Sequence, residues 1–182
     1  EKALLLRNAL IDTSLGTELD IPDSLRAGAD PKTYIVQARG PVTAAFRRHI
    51  TSAGGRIVSY IPNNAYLVRL DSGGADRLAK WPGTQSVLPF EPYYKLEMKL
   101  LEMAVAGQAL PGDALLNVVL VPGSEPTAAK RLAKLGVEVL TQDRTPFGAK
   151  LVARVPSDQL TALARLTEVQ GLERYRPRRL AN

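Results

Sequence analysis

The sequence predicts an α+β fold in which one small unit is used twice. Three observations carry this. Short β-rich runs alternate with helical stretches in the order β-α-β-β-α-β. That order runs once from Tyr34 and again from Leu116. Glycines and prolines punctuate both passes at matching junctions, where chain reversal and helix termination call for them. The chain has 182 residues, 45% hydrophobic and 23% charged, a balance that suits packed domains and argues against disorder. Each copy spans roughly 65–80 residues, near the lower limit for a self-sufficient core, so each gains by packing on something else.

In the first pass Tyr34-Ile35-Val36-Gln37 is β-rich, and Pro41 opens a helical stretch, a favoured use of proline in a first turn. Ala45, Phe46, His49 and Ile50 make one helical face, and Gly54-Gly55 ends it. Arg56 to Ile61 and Ala65 to Leu70 are strands joined by Pro62-Asn63-Asn64. Asp71 or Ser72 can cap a second helix through Leu78 and Trp81, stopped by Pro82-Gly83. Val87-Leu88 is the fourth strand.

The second pass has strands at Leu116 to Val121, Val137 to Leu140, Lys150 to Val155 and Leu172 to Tyr175. One helix starts at Glu125-Pro126 and ends at Gly136. The other starts at Pro156-Ser157-Asp158, carries Leu160, Leu163 and Leu166, and breaks at Gln170-Gly171. The passes align with Gly55 on Gly136, Val68 on Val152, Leu78 on Leu163 and Val87 on Leu172.

This order is that of ferredoxin-like folds: two tandem units, each a four-stranded antiparallel sheet with two helices on one face. The expected boundaries are an N-terminal extension at 1–30, a first unit at 31–96, a helical linker at 97–113, a second unit at 114–176 and a tail at 177–182. Within the extension, Leu4 to Leu6 and Ala9 to Ile11 form a strand or a short helix, and residues 21–27 a turn opening a short helical piece. The second face of each sheet is expected to be open and to meet water or a partner. Tyr60, Tyr66, Tyr93 and Tyr94, with Tyr175 in the second unit, are candidate contacts there, since grouped apolar residues on an open face mark binding surfaces. The alternative places these tyrosines at sheet edges with their hydroxyls in water.

Chemistry is sparse. Cysteine is absent, which excludes thiol catalysis, thiolate metal sites and disulfides. His49 is the single histidine, too little for a zinc site or for a triad with no marked nucleophile. No phosphate-cradling glycine loop follows a strand, and Asp71 to Asp76 is too short for a calcium loop. We therefore expect no metal, no cofactor and no enzyme activity in this segment. No apolar run reaches the roughly 20 residues of a membrane span. The net charge of +6 gathers at the end, where Arg174, Arg176, Arg178 and Arg179 cluster. Such a cluster attracts an acidic surface, a phosphate backbone or only water. The third strand of the second pass, Ala149 to Arg154, has no aromatic on which a base could stack, which argues against nucleic acid.

The run Tyr60-Ile61-Pro62-Asn63-Asn64-Ala65-Tyr66-Leu67-Val68-Arg69 is more specific. It resembles the amino-terminal pro-region of bacterial subtilisin-like serine proteases. Leu6 to Thr13, Tyr34 to Gln37 with Gly40-Pro41-Val42, the closing strand Leu88 to Leu96, and the final Arg178-Arg179-Leu180-Ala181-Asn182 are similar to the same precursors. The likeness covers most of residues 1–97, and the second pass follows by pattern. It implies a pro-domain that is an intramolecular chaperone and inhibitor of the catalytic domain of its own protease, in a secreted or periplasmic bacterial protein. An open sheet face packs on the protease. The tail Pro177, Arg178, Arg179, Leu180, Ala181 and Asn182 lies in the active-site cleft as a product-like strand. Asn182 is then on the amino side of the cut, with Leu180 and Arg179 toward the specificity pockets. Arg179 departs from the apolar residue that subtilisins often prefer four places before the cut. The chain reads as an excised segment, and its second unit, nearer the tail, as the one that docks. Two rivals stand beside this: a small-molecule-sensing module with a ligand near Gly136 and Gly148, and a nucleic-acid-binding domain using the arginine tail.

Overall fold

In the computed structural model, which describes residues 3–13 and 19–177, the chain divides into two units, Glu1–Tyr94 and Lys95–Asn182. The architecture is α+β, with two four-stranded antiparallel sheets and one two-stranded hairpin. No helix among the described residues is long and apolar enough to cross a membrane.

The first unit begins with the hairpin, β1 (Ala3–Leu5) against β2 (Leu10–Asp12). A 3-10 turn at Asp23–Leu25 follows, then β3 (Thr33–Ala38), α1 (Ala44–Ser52), β4 (Arg56–Ile61), β5 (Ala65–Arg69), α2 (Ser72–Ala79) and β6 (Thr84–Pro89). α1 starts three residues after Pro41, because Thr43 is its N-cap: the hydroxyl accepts a hydrogen bond from the Phe46 N–H at 3.1 Å. Of the two candidate caps for α2, Asp71 serves; its carboxylate accepts from the Gly74 N–H at 2.6 Å. Trp81 lies beyond the end of α2, in the turn that follows. The sheet order is β4-β5-β3-β6.

Both faces of this sheet are buried. On one, Tyr34, Val36, Tyr66 and Val68 pack against Phe46 and Ile50 of α1 and Leu78 of α2. On the other, Ile35, Ala65 and Leu67 pack against Leu4, Ile11 and Phe90. The expectation that this second face is open is therefore corrected. The N-terminal hairpin folds back over it, and β3 is buried at all six positions. Asn63 in the β4–β5 turn helps hold the hairpin, its amide donating to the Ala3 carbonyl at 2.5 Å. The stretch resembling a closing strand is also different in part: β6 ends at Pro89, and Pro92–Lys95 is a helical turn, α3.

The second unit has α4 (Met98–Val105), β7 (Leu115–Leu120), α5 (Glu125–Lys134), β8 (Glu138–Thr145), β9 (Gly148–Arg154), α6 (Leu160–Ala164) and β10 (Val169–Arg174). α6 is short and leaves Leu166 beyond its end. The sheet order is β10-β7-β9-β8, the counterpart of the first unit's order. Lys95 is buried here, its ammonium donating to the Leu166 carbonyl at 2.8 Å. Leu96 bridges in parallel to Leu172 beside β10.

The ladders fix the correspondence between the two sheets. The Leu70 N–H donates to the Lys32 carbonyl at 3.0 Å, and the Val155 N–H to the Ala114 carbonyl at 3.3 Å. A register shift falls between Ile57 and Ser59 in one unit, and between Val139 and Thr141 in the other. Gly136 thus matches Gly54, not Gly55; both have left-handed φ, +72° and +85°. Val68 likewise matches Ala153, one place on from Val152. Val87 with Leu172 aligns as the sequence suggests, and Leu78 and Leu163 are both fully buried.

Candidate docking surface

The second unit uses its sheet differently. Along β7, burial alternates: Leu116, Val118 and Leu120 are buried, while Leu115, Asn117 and Val119 are only partly so. β9 repeats this, with Ala149, Leu151 and Ala153 buried and Lys150 and Val152 partly buried. The buried side is apolar, and Leu132 of α5 and Leu163 of α6 are inaccessible as well. The other side mixes apolar and polar groups. Asn117 faces Val152 and Val119 faces Lys150 across the ladder, with Glu173 of β10 beside Asn117. One face packed and one face wetted is an ordinary use of an antiparallel sheet.

Two exposed aromatics flank this sheet. Tyr175, 38% exposed, follows β10, its N–H bonded to the Leu115 carbonyl at 2.9 Å. Phe147, 59% exposed, sits in the turn between β8 and β9. Side chains pin that turn. The Gln170 amide donates to the Phe147 carbonyl at 2.5 Å and to the Leu120 carbonyl at 3.0 Å. The Thr145 hydroxyl donates to the Gly148 carbonyl at 2.8 Å and accepts from the Phe147 N–H at 3.2 Å. An exposed aromatic on a turn with little freedom left loses little entropy on binding. The sequence shows Thr145-Pro146-Phe147-Gly148 as a turn, but the bracing by Gln170 is long-range.

The five candidate tyrosines do not form one surface; Tyr93 lies edge-on to Tyr94 at 6.0 Å. Tyr66 is 8% exposed and faces the helices, 6.4 Å from the Phe46 ring. Tyr60 is 53% exposed on β4, an outer strand, edge-on to Tyr66 at 5.7 Å. Tyr94 packs with Phe90 at 6.1 Å on the hairpin side, where burial first and the Glu91 charge second push its phenol up to about 12. Only Tyr175 belongs to the second unit. Tyr60 fits the edge alternative, while Tyr66 and Tyr94 are packing residues of the first unit. His49 stacks on Trp81 at 4.2 Å. Of the tail, Pro177 is exposed; Arg178, Arg179, Leu180, Ala181 and Asn182 lie outside the described residues. Among the described residues, no three His, Asp or Glu side chains are grouped to hold a metal ion.

Residues 5–91 match a family model described as a domain of unknown function (DUF8729). That span takes in Leu5 of β1, all of β2 and the whole first sheet. No curated protein matches the chain, and no solved structure does.

Proposed function

We propose that this chain is the pro-domain of a subtilisin-like serine endopeptidase, built of two ferredoxin-like units, and acts as intramolecular chaperone and inhibitor of the catalytic domain rather than as an enzyme. The observation that carries the reading is the contrast between two equivalent sheet faces. In the first unit the face is filled by Leu4 and Ile11. In the second the corresponding residues Leu115, Val119 and Val152 stay partly accessible, with Tyr175 at their margin. The protease is named by the resemblance of Tyr60–Arg69 to pro-regions. The docking face is assigned to the second unit by exclusion of the first.

In this reading the catalytic domain covers the second unit's free face, as the hairpin covers the first. The chain leaving β10 through Tyr175, Arg176 and Pro177 runs on into the active-site cleft. Backbone hydrogen bonds there supply affinity, and alternate side chains supply selectivity. Such a protein acts outside the cytoplasm, secreted or periplasmic, where the precursor matures.

Titration into the mature endopeptidase of the same precursor should give inhibition in the nanomolar to micromolar range. Removing residues 177–182 should weaken it at least about tenfold, a loss of roughly 1.4 kcal/mol. Absence of any effect on activity, together with no effect on refolding of the denatured protease, rejects the assignment.

A further inference from the structure

We infer that the first unit carries an oxyanion site formed by Arg56, Arg69 and Lys32, taking a carboxylate or a phosphate group. Arg56 and Arg69 are direct partners across the β4–β5 ladder. Like charges placed opposite each other on neighbouring strands are destabilising. Both side chains are exposed, and neither takes part in an ion pair or side-chain hydrogen bond among the described residues. They line a shallow notch of about 310 Å³ with Lys32, Gly54, Leu70 and Asp71.

The repeat supplies an internal control. The corresponding ladder pair in the second unit is Glu138 with Arg154, at the same distance from the matching register shift. Those two form a salt bridge at 2.7 Å. The residue matching Lys32 is Ala114, as the two equivalent backbone bonds show. One fold position thus holds a carboxylate between strands in one copy. In the other it holds a guanidinium facing a guanidinium, with an ammonium added. The carboxylate missing from the first unit is what an external oxyanion would replace, and two guanidinium forks suit it geometrically. Of the nearby acids, Asp30 pairs with Lys32 and one oxygen of Asp71 caps α2, and neither forms an ion pair with Arg56 or Arg69.

The test uses the whole chain. Thermal unfolding is followed in sodium phosphate and in sodium chloride at matched low ionic strength, and with a short glutamate-rich peptide. A rise in Tm specific to phosphate identifies a free oxyanion ligand, and one specific to the peptide identifies protein carboxylates. Either supports the site, provided that Arg69→Gln abolishes it. Arg56→Glu rebuilds the second unit's ion pair; it should raise Tm without ligand and remove the response to both anions. Equal Tm in phosphate, chloride and peptide overturns the proposal, as does an anion response that Arg69→Gln and Arg56→Glu leave intact.

Discussion

At the scale of single residues, two positions turn local geometry into measurable stability. Gly148 has a φ of +125°, and a Cβ there would lie 2.2 Å from the Leu120 carbonyl oxygen. Gly107 also has a left-handed φ, +64°, but nothing lies near its absent Cβ. Gly107→Ala should therefore cost only the backbone term, about 1 kcal/mol. Gly148→Ala adds a backbone clash and should cost about 3 kcal/mol or more. Chemical denaturation of both variants checks the difference; equal losses would show that the β8–β9 turn can move away. Tyr94 links stability to alkaline pH. Its folded-state value of about 12 lies above the ordinary 10 of an unfolded tyrosine. The folded state thus keeps a proton that the unfolded chain has released. The contribution is complete below pH 10 and is lost as pH rises from 10 to 12. Because the ring is partly exposed, solvent screening holds the effect to about 1 kcal/mol. Tyr94→Phe should flatten the decline over that interval, relative to the parent chain under the same conditions.

At the scale of elements, the N-terminal hairpin decides what the first sheet can do. Its strands are three residues each, too short to show periodicity, and its cover of β3 depends on contacts that no local pattern reveals. Longer elements are legible where their ends carry chemistry: Asp71 caps α2, and Gly54 and Gly136 close α1 and α5, whereas the Thr43 cap of α1 is masked by the nearby Pro41. The one-place slip at Gly55 reflects a Gly-Gly pair in which Gly54 takes the left-handed φ and Gly55 packs against Ile50 and Val68, a division that the residue letters do not encode. The tyrosine faces were misread for a related reason. β5, which carries Tyr66, is buried at its first four positions, so its residues show no alternation that tells the helix side from the hairpin side. β7 alternates in burial, but Asn117 alone marks its wetter side in the letters Leu-Leu-Asn-Val-Val-Leu. If the hairpin is a structural cover, Leu4→Ala should destabilise the first unit by about 2–3 kcal/mol, since a terminal hairpin can close part of the hole. Removing residues 1–13 should expose Ile35 and Leu67 and produce binding of a hydrophobic dye. A truncated chain with unchanged unfolding and no dye binding would show that the sheet does not need its cover.

At the scale of the molecule, two sheets of the same strand order are used differently: one is covered on both faces, and the other keeps one face partly accessible. Both units have the same strand order and a register shift at the same place between the outer strand and its neighbour. They differ at the second sheet face and at the first ladder pair of the outer strands. The same change on the two faces should therefore have opposite consequences. Leu67→Glu places an unpaired charge at a site only 4% exposed, against Leu4 and Ile11. It should unfold the first unit, with a loss of about 3 kcal/mol or more. Val152→Glu places the charge on the partly accessible face and should shift stability by only about 0.5 kcal/mol, as surface changes do. On the reading of this face as the protease-binding side, Val152→Glu should nonetheless weaken inhibition at least about tenfold, because the charge loses its water in the complex. Comparing denaturation with inhibition for the pair separates the two roles. A Val152→Glu chain that folds and inhibits like the parent would mean that this face serves solubility alone, and docking would have to be sought at the Phe147 turn.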